Sequence, residues 1–150
     1  MALKARIKDE MKAALLSGDR FVGETLRNLT AAILDEEVKL GKRDEGLSDE
    51  EIEKVVVREV KKRNESAKIY RDNNRPDLAE PEEQEIEILQ AYLPKQLDET
   101  ELAAIIEAKI AELSVTGPQA MGQVVGAVKK QVGNAADGAA IARIVKQKLN

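Results

Sequence analysis

The sequence predicts an all-α protein: a bundle of long helices over residues 1–94, followed by a small three-helix domain over residues 95–150. Three observations carry this. Apolar residues recur at helical spacing nearly everywhere. No stretch alternates apolar and polar residues between hairpin turns, as a strand pair would. Two helix-start signatures, at Ser48 and Asp98, open the pattern afresh.

The first helix runs from about Leu3 to Leu16, with Leu3, Ile7, Met11, Ala14 and Leu15 on one side, and Ser17-Gly18-Asp19 stops it. Asp19 caps the second helix, which extends to about Leu40. That helix carries one stripe of Val22, Leu26, Leu29, Ile33 and Leu40 and another of Leu34 and Val38, so it is expected to be central. Ser48, with Glu51 three residues on, forms a capping box for the third helix, and Leu47 staples against Ile52. Asn73-Asn74-Arg75-Pro76 ends it near Arg71, since Asn tolerates the left-handed turn and Pro blocks continuation. A fourth helix from about Leu78 bears Ile86, Leu89 and Leu93 and stops at Pro94.

After Pro94 the start signals repeat, with Asp98 and Glu101 as a second box and Leu97 and Leu102 as its staple. Shorter helices are expected over 99–113, 118–132 and 138–149. The charge balance shifts at the same place. Residues 1–94 hold 17 basic and 22 acidic side chains, whereas residues 95–150 hold 7 and 6. A domain boundary is therefore expected near Pro94 to Leu97.

Composition narrows the chemistry. The 150 residues include 24 Lys plus Arg and 28 Asp plus Glu, a net charge of -4, and no His, Cys or Trp. A His-containing catalytic triad, a Cys/His zinc site, a His- or Cys-held haem and a disulfide framework are all excluded. No phosphate loop or dinucleotide fingerprint is present, and the four serines lie far apart, unlike a Ser-rich amidase signature. The carboxylate runs Asp35-Glu36-Glu37 and Glu82, Glu83, Glu85 and Glu87 read as solvated helix faces. A carboxylate-bridged di-iron bundle would add the His of its Glu-x-x-His motif. No catalytic residue, metal or cofactor is expected. With no apolar run near the roughly 20 residues of a membrane span, and no apolar signal region at the start, a soluble cytoplasmic protein is expected.

Two constellations stand out. On the third helix Glu59, Arg63, Ser66 and Tyr70 fall on the arc of Ile52, Val55 and Val56. Polar groups on a buried arc require partners. Either they form an internal network fixing helix register, or Arg63 faces a groove that takes a carboxylate or phosphate. On the sixth helix Gly122 and Gly126 lie one turn apart beside Lys129 and Lys130, away from the apolar arc of Met121, Val124, Val125, Val128 and Val132. Glycine costs about 1 kcal/mol in a helix interior. Either the pair admits a closely packed neighbouring helix, or it leaves a bare backbone face for a phosphate chain or a partner helix. Residues 117–150 hold Lys129, Lys130, Arg143, Lys146 and Lys148 against Asp137 alone, a modest basic patch.

Several segments resemble the GatB/YqeY-like family along essentially the whole chain. They are Lys62-Arg63-Asn64-Glu65-Ser66, Tyr70, Arg75, Asp77-Leu78, Ile88 to Leu97 with its Tyr-Leu-Pro-x-Gln hinge, Met121-Gly122-Gln123-Val124-Val125, and Asn134-Ala135-Ala136-Asp137-Gly138. The resemblance implies a long-helix N-terminal bundle and a C-terminal domain similar to the tail of the B subunit of the aspartyl/glutamyl-tRNA amidotransferase. It further implies that such a tail contacts tRNA while catalysis occurs elsewhere. This chain has Asn73-Asn74 where the family's turn is usually small and glycine-rich.

Three functions follow as expectations. The first is a non-catalytic module associated with tRNA or aminoacyl-tRNA, contacting nucleic acid through Lys129, Lys130, Arg143, Lys146, Gly122 and Gly126. The second is an adaptor that binds another polypeptide through the Gly122/Gly126 face, without RNA. The partners expected under these readings are tRNA or a protein of the translation or aminoacyl-tRNA machinery. The third, a carbon-nitrogen ligase using glutamine as amido donor, ranks last for want of a nucleotide site or nucleophile.

Overall fold

The computed structural model describes residues 2–150. Every regular element among them is helical, and the chain divides into two compact units, residues 1–93 and 94–150.

The first unit contains α1 (Ala2–Ser17), α2 (Arg20–Lys39), α3 (Asp49–Asp72) and α4 (Pro76–Gln90). Local chemistry sets the starts. Asp19 accepts a hydrogen bond from Val22 N at 3.3 Å, and Ser48 and Glu51 form the full reciprocal capping box. Leu47 and Ile52, the staple around that box, are both fully buried. Each such aliphatic side chain contributes roughly 1.5–3 kcal/mol by leaving water. The core joins these to Ile7 of α1, Leu26, Leu29 and Ile33 of α2, Val55, Val56 and Val60 of α3, and Ile86 and Leu89 of α4. A β-carbon on Gly23 would stand 2.4 Å from Leu15 Cδ2, so the missing side chain lets α1 and α2 approach closely.

The expectation of a two-sided α2 is corrected. Leu34 is 43% exposed, Val38 58% and Leu40 47%, so only one face of the helix is buried. That face continues not to Leu40 but to Glu37, which is 1% exposed. Lys4 Nζ lies 2.6 Å from Glu37 Oε2, supplying the opposite charge that makes a buried carboxylate tolerable. At the other end of the hairpins, Asn74 adopts φ +58°, the left-handed geometry for which Asn substitutes for Gly. Helix α4 begins at Pro76 rather than Leu78, because a proline lacking its N–H is well suited to a first helical turn. Its end is fastened to α1: Tyr92 is buried, its hydroxyl donates to Glu10 Oε2, and the Arg6 guanidinium sits 4.8 Å from its ring centroid.

The second unit contains α5 (Glu99–Leu113), a 3₁₀ turn (Pro118–Ala120), α6 (Met121–Val132), a second 3₁₀ turn (Gly133–Ala135) and α7 (Gly138–Leu149). Asp98 caps α5 by accepting from Glu101 N at 2.7 Å. The expected sixth helix is thus split, its first three residues forming the tighter turn that follows Gly117-Pro118. Gly133, at φ +55°, ends α6 where an L side chain would be strained. The core is aliphatic: Leu102 and Ile106 of α5, Val124 and Val128 of α6, and Ile141, Ile144 and Val145 of α7. Leu97 N donates to Ala135 O and Gln96 Nε2 to Asn134 O, which bind the segment after Pro94 into this unit.

Candidate functional site

Of the four polar residues on the α3 arc, two meet. Arg63 donates to Glu59 Oε1 at 3.2 Å one turn away, and to Glu85 Oε2 on α4 at 2.6 Å. Its side chain is 11% exposed, against 13% for Glu59 and 24% for Glu85. Burial alone would lower the Arg63 guanidinium, but the hydrogen bonds it donates to Glu85 and Glu59 outweigh this and hold it above its usual value. Nearby, burial pushes the Glu82 carboxyl up, and the charge of Glu85 adds to that. Ser66 and Tyr70 are half-buried, and no side-chain hydrogen bond joins them to this cluster among the described residues. The guanidinium is thus already occupied, and the α3 cluster works as a clasp between α3 and α4. Glu85 was not identified from sequence as its partner, because helical periodicity relates residues within a helix and not across two.

The α6 face is different. Gly122 and Gly126 are exposed, and beyond the neighbouring backbone of its own helix a β-carbon on either would have no described atom within 4 Å. Among the described residues no helix of this unit packs against them, which leaves the close-packing explanation for the pair without support there. What remains is a strip of bare helical backbone on the solvent side. Lys129 and Lys130, in the last turn of α6, are exposed, and no ion pair joins either to a carboxylate among the described residues. The Lys129 chain runs toward the start of α7, since a β-carbon on Gly138 would meet its Cε at 3.2 Å.

On α7 the cations divide. Lys146 is exposed and has no ion pair among the described residues. Arg143 is bound to Glu99 of α5, and Lys148 to Glu107 of α5 at 2.5 Å. Glu99 and Glu107, with Thr100, Ala103 and Ala104, line a shallow groove of about 430 Å³. The structure therefore separates Arg143 from the free cations with which the sequence grouped it. Glu99 lies 44 positions from Arg143 and Glu107 41 from Lys148, with no sequence signal linking them. Among the described residues no group of carboxylates is arranged to hold a metal ion, and no helix is long and apolar enough to cross a membrane.

Comparison with known proteins places these features in a family. Proteins named "Altered inheritance of mitochondria protein 41, mitochondrial" are similar to this chain. The one from Lachancea thermotolerans is 30% identical over 76% of this chain and 61% of its own length. The one from Eremothecium gossypii is 34% identical over 75% and 61% respectively. The match with the Clavispora lusitaniae protein is 33% identical over 65% of this chain and 57% of that protein. The chain thus spans about six-tenths of the length of the relatives it matches. These relatives overturn the expectation of a cytoplasmic protein, since all three are named as mitochondrial. That expectation rested on a missing apolar signal region, whereas leaders that direct proteins to mitochondria are amphipathic and basic. The sequence profile described as "Yqey-like protein" matches residues 4–149, essentially every position discussed above, and the chain belongs to that family.

Proposed function

We propose that the protein is a non-catalytic helical module whose C-terminal part binds tRNA or aminoacyl-tRNA through the phosphate backbone. One observation carries the reading: the exposed Gly122/Gly126 backbone strip stands beside Lys129 and Lys130, two cations without carboxylate partners among the described residues, with Lys146 a third such cation. A strip without side chains admits close approach of a phosphate chain, and neighbouring cations gain by releasing the counterions condensed on it. The resemblance of residues 95–150 to the amidotransferase B-subunit tail points to tRNA among nucleic acids. No aromatic residue follows Tyr92, so bases have no stacking platform in that part and contact rests on phosphates. Binding is then weak and salt-sensitive. Three free cations set a logarithmic salt slope of about -2 to -3.

Titrating labelled tRNA at two salt concentrations, against the wild type and a Lys129→Glu/Lys130→Glu variant, tests the reading. Charge reversal should abolish binding at moderate salt, and an unchanged affinity would sink it. The same Gly122/Gly126 strip also fits a partner helix, and this favours the protein adaptor as the second reading. An RNA-negative titration moves that reading ahead.

In this proposal residues 1–94 and 95–150 are separate domains, the second carrying the binding role. Circular dichroism of a residue 95–150 fragment tests the division. A helical spectrum supports it, and an unfolded one at low temperature counts against it.

A further inference from the structure

We propose that Glu99 and Glu107 are internal competitors for phosphate, each holding an α7 cation that a bound polyanion would otherwise take. The inference rests on the phosphate-binding reading of the C-terminal unit and adds a control to it. Five cations lie between residues 117 and 150, and among the described residues only Arg143 and Lys148 of these pair with carboxylates, both on α5. The two carboxylates stand about two helical turns apart and line the same shallow groove, so both cations are held beside it.

A carboxylate and a phosphate oxygen are alternative acceptors for the same guanidinium or ammonium hydrogens. The Arg143 and Glu99 side chains are 48% and 72% exposed, and those of Lys148 and Glu107 37% and 59%. Pairs so open to water are weak, which makes them displaceable rather than permanent. A phosphate chain reaching Arg143 must first displace Glu99 and must also approach its negative charge. Both effects lower affinity and keep Arg143 and Lys148 out of the salt slope, leaving phosphate contact to Lys129, Lys130 and Lys146. The consequence is a module tuned to bind weakly and release.

The experiment uses the full chain with Glu99→Gln, Glu107→Gln and the control Glu101→Gln. Glu101 lies in the same first turn of α5 as Glu99, so the control removes an equal charge and an equal helix-end interaction. It has no ion pair with α7 among the described residues. Labelled tRNA and inorganic polyphosphate are each titrated at several salt concentrations. Glu99→Gln and Glu107→Gln should each tighten binding about two- to fivefold at low salt, the range an exposed ion pair permits. Each should also steepen the logarithmic salt slope by about one. Glu101→Gln should change neither by more than its general charge effect. A gain with polyphosphate but no tRNA binding supports the competition while rejecting tRNA as the ligand. Equal behaviour of Glu99→Gln and Glu101→Gln with both polyanions, or no gain with either, overturns the proposal.

Discussion

Arg63 of α3 donates to Glu85 of α4 at 2.6 Å while also holding Glu59 of its own helix, so one guanidinium closes the α3–α4 hairpin. Truncating it leaves two poorly exposed carboxylates without their shared cation. Arg63→Ala should therefore destabilise the protein by roughly 1–3 kcal/mol. Lys61, exposed on the opposite arc, should tolerate alanine within about 0.5 kcal/mol. Urea denaturation of both variants makes the comparison. Equal midpoints would mean that the clasp adds nothing to stability.

The Lys4–Glu37 pair places a nearly inaccessible carboxylate between α1 and α2. Removing only the cation is worse than removing both charges, because the desolvated anion stays behind. Lys4→Met should cost about 3 kcal/mol, the low end for breaking a buried pair, since Lys4 retains 24% of its side-chain exposure. Lys4→Met/Glu37→Leu should recover most of that loss. A double-mutant cycle in which the paired variant is no more stable than Lys4→Met would show that Glu37 is not held by charge.

Acid should find Glu51. The Lys42 ammonium, followed by the backbone N–H and side chain of Ser48, lowers its carboxyl from 4.5 to about 2. The folded value lies below the unfolded one, so the stabilisation is present above about pH 4.5 and fades as pH falls toward 2. Glu51→Gln should thus lower the melting temperature clearly near pH 6 and hardly at all near pH 2. A difference between wild type and variant that stays constant across this interval would refute the assignment.

How much of this was legible in the sequence depends on whether the partner lies in the same helix. Ser48 with Glu51, Leu47 with Ile52 and Asp19 with Val22 are neighbours, and spacing alone identifies them. Arg63 with Glu59 is also local, and the buried polar arc flagged it. Glu85, Glu99 and Glu107 are brought to their cations by helix packing, which periodicity does not encode. Leu34 and Val38 show the converse. Their spacing correctly puts them on one face, but among the described residues no element of the first unit covers that face. Gly122 and Gly126 were ambiguous for the same reason, because a glycine pair reads alike whether a helix lies on it or water does.

That open glycine strip permits one further prediction that separates stability from binding. Glycine weakens a helix interior by about 1 kcal/mol relative to alanine, and a methyl group at either position meets no described atom within 4 Å beyond the backbone of its own helix. Gly122→Ala and Gly126→Ala should each raise stability by up to about 1 kcal/mol, because the folded state accepts the side chain without strain. If the bare backbone is where a phosphate chain settles, the same substitutions should weaken tRNA binding although the protein has become more stable. Thermal melts and tRNA titrations on the same samples read the two effects independently. Stabilised variants that bind tRNA as the wild type does would show that Lys129 and Lys130 act without the backbone strip. Variants that lose stability would show that something covers the strip after all.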